Sequence, residues 1–319
     1  MPDDRELSDT KAGGRMLSDQ VPGLAAVDEL VVSRQSETLD SDDVLARKPF
    51  GFLFWFACGW VGLVVLAAVL ANVLPLPNPN FQNYNALNAP PNMHHLLGTD
   101  DLGRDLLSRL IFGARVSLVV GFVSVAFGML IGGTLGLISG YKGGRLDVAL
   151  NAGSFVLLAF PAIVAVIAIV AFWGQSLFKI TVILGVAVVP LLFRVVRASS
   201  LSFANRDFVI AARTMGATSA RIVFREILPN VVPVAITFGL ITVAGVIVIE
   251  GTLAFLGLSV ALPTPSWGNL IAEGTSNGAL STNVYIMLWP VISMFLLLLS
   301  INLIGDRLRQ RFDIREGLL

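Results

Sequence analysis

Long apolar runs, nearly free of charged residues, follow one another along most of the chain after residue 48. A membrane-spanning helix needs about 20 mostly apolar residues. Six runs approach or reach that length: 50–74, 116–139, 148–172, 180–193 with its flanks, 231–258 and 284–304. The pattern therefore predicts an all-α membrane protein with six transmembrane helices, of which the fourth is the shortest.

Prolines fall within these runs or at their starts, at positions 161, 190 and 233. Proline lacks a backbone N–H and clashes with the preceding helical turn, so it bends a helix or begins one. We expect a bend or a new helical start at each of these positions.

Basic residues after Lys48 are distributed unevenly between the two sides that six spans define. Twelve fall on one side, at 142, 145, 194, 197, 206, 213, 221, 225, 307, 309, 311 and 315; four fall on the other, at 104, 109, 115 and 179. Because inner loops carry the excess of Lys and Arg, both termini are predicted to be cytoplasmic.

Composition excludes several classes of protein. The chain has 55% apolar and 14% charged residues and a mean hydropathy of +0.78, far from the balance of a soluble enzyme. Its 22 basic and 22 acidic residues cancel, so no basic excess favours nucleic acid. Cys58 is the one cysteine and there are two histidines, His94 and His95, which leaves little material for a metal site. We predict none.

Residues 1–48 differ from the rest of the chain. They hold 11 acidic and six basic residues, lack aromatic residues and show no sustained apolar period. Such a segment buries too little apolar surface to offset its ordering entropy. We predict a mostly disordered acidic cytoplasmic tail; a short helix near 21–32 that docks on a partner is the alternative.

The second apolar run is rich in glycine. Gly128, Gly132 and Gly136 are spaced four residues apart, which suits close contact between helices. Packing within the chain and packing against a second subunit remain alternatives.

The long inner loop between the fourth and fifth runs has helical periodicity. Phe208, Ala211, Ala212 and Met215 follow the i, i+3, i+4, i+7 spacing of one helix face. Gly216 permits a turn after that helix. A second apolar stripe follows at 222, 223 and 227, and Pro229 is expected to end the segment. The pattern predicts a helix–turn–helix with small residues that another surface could approach.

This loop resembles the EAA loop of ABC-importer permeases, in which Glu-Ala-Ala is followed by three residues, Gly, nine residues, Ile, one residue and Leu-Pro. Ala211, Ala212, Gly216, Leu228 and Pro229 stand at matching positions. The chain departs from the pattern at two positions, with Ile210 in place of Glu and Glu226 in place of Ile.

Three further segments resemble the C-type subunit of the dipeptide/oligopeptide permease family. They are 95–118, the segment 250–270 and the C-terminal 302–315, in which Ile314 replaces the usual proline. The resemblance covers about residues 50–315. It implies the type I ABC-importer permease fold, with a first helix and outer loop over 49–112, a permease domain over 113–306 and a cytoplasmic tail over 307–319.

The resemblance also implies a function. The chain would be a multi-pass permease of the bacterial inner or cell membrane that imports di- or oligopeptides. Its loop 198–229 would dock on an ATPase through the residues Phe208, Ala211, Ala212, Arg213, Met215, Gly216, Leu228 and Pro229. Partners would be a homologous permease, two ATPase subunits, an extracytoplasmic substrate-binding protein and the lipid bilayer, but no nucleic acid. Nickel, haem or another small solute is the alternative cargo.

The sequence agrees with a nucleotide site on another chain. It contains no GxxxxGK[ST] phosphate-binding loop. The resemblance thus implies a transport subunit without a catalytic site or cofactor of its own, with ATP and magnesium bound by the ATPase partners.

The outer segment carries a second candidate site. Asp100, Asp101, Arg104, Asp105 and Arg109 have i,i+3 and i,i+4 spacings beside leucines, which predicts an amphipathic helix at the outer interface. This helix either orders the first loop or forms part of an outer gate or binding-protein dock, for which Asp100, Arg104 and Asp105 are the candidates.

Glu250 lies near the outer end of the fifth run, and a carboxylate in a span is costly unless paired or hydrated. It either faces the translocation path or forms a lock with Arg104 or Arg115. Trp267 is expected to be an interfacial anchor. An autonomous secondary transporter is the competing class of function, but it should show internal repeats or several midplane charges.

Overall fold

A computed structural model describes residues 51–275 and 283–316, with side chains up to Arg311. The tail predicted for residues 1–48, including the alternative helix near 21–32, lies outside the described residues. Phe50, where the first apolar run begins, lies outside them as well.

The described residues are almost entirely helical, as predicted. Eleven α-helices follow in order: α1 Phe52–Leu70, α2 Leu106–Gly128, α3 Thr134–Lys142, α4 Gly144–Ala159, α5 Ala162–Trp173, α6 Leu177–Ala204, α7 Asp207–Thr214, α8 Ser219–Arg221, α9 Leu228–Phe255, α10 Trp267–Thr275 and α11 Tyr285–Glu316. Two π-helical segments, Met129–Gly133 and Ile222–Ile227, join α2 to α3 and α8 to α9. Within the described part of the chain no β-strand occurs, only one isolated bridge between Thr99 and Asp105.

Among the described residues, five helices are long and apolar enough to cross a membrane: Phe52–Leu70, Leu106–Lys142, Leu177–Ala204, Ser219–Phe255 and Tyr285–Arg311. Helices α4 and α5 meet the same criteria together but are bent by 77°. Counted as one broken span, they give the six predicted crossings.

Proline explains the bend between α4 and α5. Phe160 has extended backbone angles (φ −82°, ψ 132°) and Pro161 begins α5. Proline disfavours helical angles in the residue before it, so α4 ends there. Pro190 and Pro233, by contrast, lie inside α6 and α9 without ending them. Of the three prolines, Pro161 begins a new helix, as expected.

Two helices extend beyond the apolar runs that predicted them. The fourth run, 180–193 with its flanks and expected to be the shortest, lies within the 28-residue helix α6, because its polar continuation through Arg194 and Arg197 remains helical and packs against α3 and α4. At the C-terminus α11 extends through Glu316, so the described part of 307–319 continues the last span as a helix.

The core lies where α2, α6 and α9 meet. Val120, Ile180, Leu192, Ile247 and Leu253 are fully buried there. The glycines of the second run bring the helices close: Gly121 faces Ile247 of α9, whereas the stripe formed by Gly128, Gly132, Gly136 and Gly140 faces α6.

The glycine stripe leaves almost no space for a side chain. A Cβ added at Gly136 would lie 2.6 Å from the Phe193 carbonyl oxygen and 2.9 Å from the Arg197 nitrogen. One added at Gly140 would lie 2.6 Å from the Arg197 carbonyl oxygen. Of the two alternatives drawn from the sequence, packing within the chain is the one that this structure realises.

Gly136→Ala should therefore destabilise the protein by about 1–3 kcal/mol, since overpacking displaces neighbouring backbone. Gly153→Ala in α4 is the matched control, because nothing lies within 4 Å of a Cβ added there. Alanine should even favour that helix by about 0.5–1 kcal/mol. Thermal unfolding of the purified variants measures both effects. Equal unfolding midpoints would contradict the close packing of the glycine stripe against α6.

Candidate functional site

The inner loop forms a compact hairpin, called here the coupling hairpin and comprising residues 207–227. Helix α7 ends in a turn at Gly216, whose φ is +79°. The Gly216 amide donates to the Arg213 carbonyl and the Ala217 amide to the Ala212 carbonyl, both at 3.0 Å. This pair of hydrogen bonds is the Schellman arrangement that closes a helix C-terminus and requires a left-handed residue. The turn predicted at Gly216 is thus present.

The second arm of the hairpin differs from the prediction. Thr218 caps it by accepting a hydrogen bond from the Arg221 amide at 3.4 Å, and the chain then stays helical from Ser219 to Phe255. Pro229 does not end the segment but stands in the first turn of α9. The wider π-helical turns of 222–227 precede it, and a proline in a first turn needs no donor. The hairpin is therefore continuous with the fifth span.

Its own small core holds the hairpin against the membrane helices. Val209 and Ala212 of α7 are buried against Ile222 and Ile227 of the second arm. Leu137 of α3, Val196 and Phe203 of α6 and Val231 of α9 complete this cluster. Val209, which the sequence analysis did not single out, is fully buried.

The predicted apolar stripe is divided between two environments. Ala212 is 8% exposed and faces the hairpin core, and Phe208 and Leu228 are half-buried against it. Ala211, Gly216 and Pro229 are exposed, and Met215 is 81% exposed. Ile210 stands where the related loops have Glu, and it lies 49% exposed. The exposed apolar side chains on α7 and at its C-cap are thus Ile210, Ala211 and Met215, with Asp207, Arg213 and Thr214 exposed beside them.

Arg213 connects the hairpin to the second span. Its guanidinium carbon lies 5.9 Å from the centre of the Tyr141 ring in α3, within cation–π distance. The coupling hairpin consequently contacts α3, α6 and α9 at once.

At the other end of the molecule, Asp100 organises the outer loop. It is fully buried, and its Oδ1 accepts hydrogen bonds from the Leu102 and Arg104 amides at 3.0 and 2.9 Å. Its Oδ2 accepts a hydrogen bond from Arg104 Nε at 2.6 Å. The Asn88 amide donates to its carbonyl oxygen at 2.9 Å. These contacts form a tight turn, so the predicted helix does not begin at residue 100.

The helix begins at Leu106 because Asp105 caps it. Asp105 Oδ2 accepts from the Ser108 amide at 2.8 Å, and Oδ1 lies 2.9 Å from His95 Nδ1. The predicted i,i+4 pair of Asp105 with Arg109 is replaced by these contacts. His95 thus has a carboxylate partner.

Arg109 joins two distant parts of the chain. Its Nη2 donates to both carboxylate oxygens of Glu273 in α10, at 3.0 and 2.8 Å, and its Nε lies 3.6 Å from Asp100 Oδ2. Arg104 Nη2 also donates to Glu273, at 3.1 Å. Burial raises the pKa of Glu273, while the charges of Arg109 and Arg104 act in the opposite direction.

Glu273 is a residue that sequence reasoning missed. It is the only acidic residue between Glu250 and Asp306, and that isolation was the available signal. No local spacing connects it with arginines more than 160 residues away, so their pairing is a property of the tertiary fold.

Glu250 is 1% exposed and bound by hydroxyl groups. Ser117 Oγ of α2 and Ser259 Oγ of the following loop donate to it at 3.2 and 2.6 Å. The expected lock with Arg104 or Arg115 is not formed: Arg104 binds Asp100 and Glu273, and Arg115 Nε donates to the Ala68 carbonyl at 2.9 Å. In this conformation Glu250 connects α2 to the loop before α10.

Trp267 is not the interfacial anchor that the sequence predicted. It is 2% exposed, its Nε1 donates to the Leu110 carbonyl at 2.9 Å, and its backbone closely approaches Gly113. Together with Glu273 it fastens both ends of α10 to the start of α2. We call the segments 75–105 and 256–275, held in this way, the outer cap.

Residues 132–316 match the family described as binding-protein-dependent transport system inner membrane component. The chain belongs to this family. It is accordingly a multi-pass membrane protein of a transport system, as the sequence predicted, and the competing class of autonomous transporter has no support.

Several similar proteins align with about four fifths of this inner membrane component and with more than four fifths of their own length. The glutathione transport system permease protein GsiD of Pectobacterium atrosepticum is 37% identical over 79% of this chain and 83% of that protein. The dipeptide transport system permease protein DppC of Alkalihalophilus pseudofirmus is 34% identical over 79% and 84%. A putative peptide transport system permease protein of Brucella suis is 39% identical over the same shares.

Solved structures show the same fold. Inward-facing conformations of the MetNI methionine ABC transporter align with a TM-score of 0.54 and 22% identity, over 65% of this chain and 97% of that one. The match agrees with the predicted ABC-importer permease architecture.

Arg109→Gln should destabilise this inner membrane component by about 3–5 kcal/mol, since it removes one of the two buried guanidinium groups that pair with Asp100 and Glu273. Asp101→Asn serves as the control, because Asp101 is 48% exposed and 4.0 Å from Arg104, a geometry worth less than about 1 kcal/mol. Unfolding of both variants in detergent measures the difference. Similar losses would show that the buried ion pairs do not hold the outer cap.

Proposed function

We propose that the chain is the permease subunit of an ATP-driven, binding-protein-dependent importer of di- or oligopeptides. The observation that carries this proposal is the similarity to several named peptide, dipeptide and glutathione permeases, at 34–39% identity over about four fifths of the chain. Glutathione is itself a small peptide, so these names agree on one class of cargo. No feature of the described residues favours nickel or haem.

The coupling hairpin would receive the motion of an ATPase subunit. Its exposed surface of Ile210, Ala211 and Met215 is apolar, small at the centre and located on the predicted cytoplasmic side. The buried partners of this surface, Ala212 and Phe208, would transmit force to α6 and α9 through the hairpin core. Docking thus depends on the outward residues, and transmission depends on the inward ones.

The assembly would contain a second homologous permease, two ATPase subunits and an extracytoplasmic substrate-binding protein. ATP and magnesium would bind on the ATPase subunits, and this chain would carry no cofactor. Substrate would be released inward as the nucleotide state shifts the balance between two conformations.

Asp100, Arg104 and Asp105 would serve the outer cap by positioning it. All three are buried within one chain, so they hold the shape of the outer cap rather than contact the binding protein directly. Glu250 would also position the outer cap, because its hydrogen bonds with Ser117 and Ser259 hold the loop before α10 against α2.

Isolation of the native complex followed by reconstitution in lipid vesicles tests the proposed function. The chain should co-purify with an ATPase subunit, and vesicles with the binding protein should accumulate labelled peptide only when ATP is supplied. Peptide uptake at the full rate without nucleotide would refute the proposal, and nickel or haem uptake in place of peptide would refute the cargo.

Ala211→Trp should lower ATP-driven uptake by about tenfold, within the usual range of coupling between sites, because the indole covers the docking surface. The protein should still fold, since Ala211 is exposed. Ala211→Ser is the matched control and should transport normally. Ala212→Trp should instead disrupt the hairpin core and reduce the amount of folded protein.

Uptake and co-purified ATPase, each normalised to folded permease, measure these effects. Normal uptake by Ala211→Trp with the ATPase bound would contradict docking through this surface. A folded Ala212→Trp protein would contradict the inward position of that residue.

Glu250→Gln should lower stability by about 1–3 kcal/mol, because the amide offers one acceptor oxygen where the carboxylate uses two, one for each serine. The KM for peptide should not change if Glu250 only positions the loop before α10. An increased KM at unchanged stability would instead place Glu250 in the translocation path. Uptake kinetics and thermal unfolding of the same preparation separate the two roles.

A further inference from the structure

Helix α4 is a 16-residue rod with a backbone break at each end. Gly143 precedes it and Gly144 begins it, with φ of +61° and +67°, angles that side-chain-bearing residues rarely adopt. At its other end Phe160 is extended and the chain turns by 77° into α5. The rod can therefore change its direction at either end without breaking its own hydrogen bonds.

Packing holds α4 only weakly within this chain. Ser154 is its one buried residue, whereas Phe155, Val156 and Leu157 are exposed. By comparison, α6 buries residues along its whole length. The position of α4 is thus not fixed by an apolar core.

A paired carboxylate and guanidinium fix its inner end instead. Arg197 Nε and Nη2 of α6 donate to Asp147 Oδ1 and Oδ2 at 2.5 and 2.6 Å, a two-point contact of the strong kind. Ser139 Oγ of α3 donates to Asp147 Oδ1 at 2.5 Å. Asp147 consequently joins three helices.

Further contacts lie along the same two helices. The Arg194 guanidinium lies 4.8 Å from the centre of the Phe155 ring, and Ser154 Oγ donates to the Pro190 carbonyl at 3.4 Å. Arg194 and Arg197 are three residues apart on one face of α6. The polar and cation–π contacts that hold α4 thus come mainly from α6.

Helix α6 leads directly into the coupling hairpin. It ends at Ala204, and α7 begins at Asp207 after two residues. Helix α3 is held to the same end, since Ser200 Oγ donates to the Leu137 carbonyl at 3.0 Å and Tyr141 lies beneath Arg213. Movement of the hairpin would carry the inner ends of α6 and α3 together.

We propose that Asp147 and Arg197 are positioning residues that make α4 follow the coupling hairpin during the transport cycle. This inference rests on the proposed function, because it needs an ATPase that moves the hairpin. The breaks at Gly143–Gly144 and at Pro161 allow α4 to change its direction. The ion pair couples that change to the movement of α6 and the coupling hairpin. Without the pair, ATP hydrolysis continues but moves less peptide.

The test uses the complete native complex in vesicles and compares Asp147→Asn, Arg197→Gln and the double variant. Peptide taken up per ATP hydrolysed should fall by about fivefold or more in each single variant, the lower end of coupling between distant sites. The double variant should be no worse than either single one, because both remove the same contact. Arg145→Gln, on the exposed side of α4, is the matched control and should behave as wild type.

Two further measurements keep the test decisive. If a neutral variant fails to assemble, Arg197→Lys keeps the charge but loses the two-point geometry, and its uptake per ATP should still fall. In a Cys58→Ser background, a fluorophore on Val148→Cys, which is exposed in α4, should respond to ATP only when the pair is intact.

The outcomes are distinguishable. Wild-type vesicles without ATP-driven uptake would refute the proposed function and this inference with it. Coupled wild-type transport with unchanged uptake per ATP in the assembled variants, or with additive losses in the double variant, would refute the ion pair's role alone. An ordinary exposed salt bridge without a role in coupling would give that second result.

Discussion

Close contact between the glycine stripe and α6 is the constraint on which the rest of the structure depends. Within a bilayer no hydrophobic force drives helices together, so van der Waals contact between small residues has to provide the association. Gly132 of the π-helical segment and Gly136 and Gly140 of α3 bring their backbone into direct contact with that of α6. That contact holds Arg197 at the inner end of the molecule, where α3, α4 and the coupling hairpin converge.

Polar contacts add to the packing of the glycine stripe at opposite ends of the membrane helices. The outer end of α2 holds the outer cap through Arg109 and Glu273. At the inner end, Asp147 and Arg197 hold α4. The difference in burial is informative: the outer ion pairs are largely enclosed, whereas Asp147 and Arg197 are part-exposed. A buried ion pair suits a part of the structure that stays fixed, whereas a part-exposed ion pair suits a contact that changes during the transport cycle.

Much of the architecture could be predicted from the sequence. Runs of about 20 apolar residues must be helical in a membrane, because backbone groups find no water there. The turn at Gly216 and the break at Pro161 follow equally from local backbone chemistry. Four motifs in order indicated the family, which the match over residues 132–316 then confirmed.

What the sequence determined by itself is everything that depends on neighbours within about four residues: helix, turn, break and apolar face. Tertiary structure alone decided which residues of an apolar helix face are buried. Sequence periodicity identifies such a face but not the surface against which it packs. It placed Ala212 in the hairpin core and left Met215 exposed. It also paired Arg109 with Glu273, because contacts between residues 164 positions apart exist only once the helices have packed.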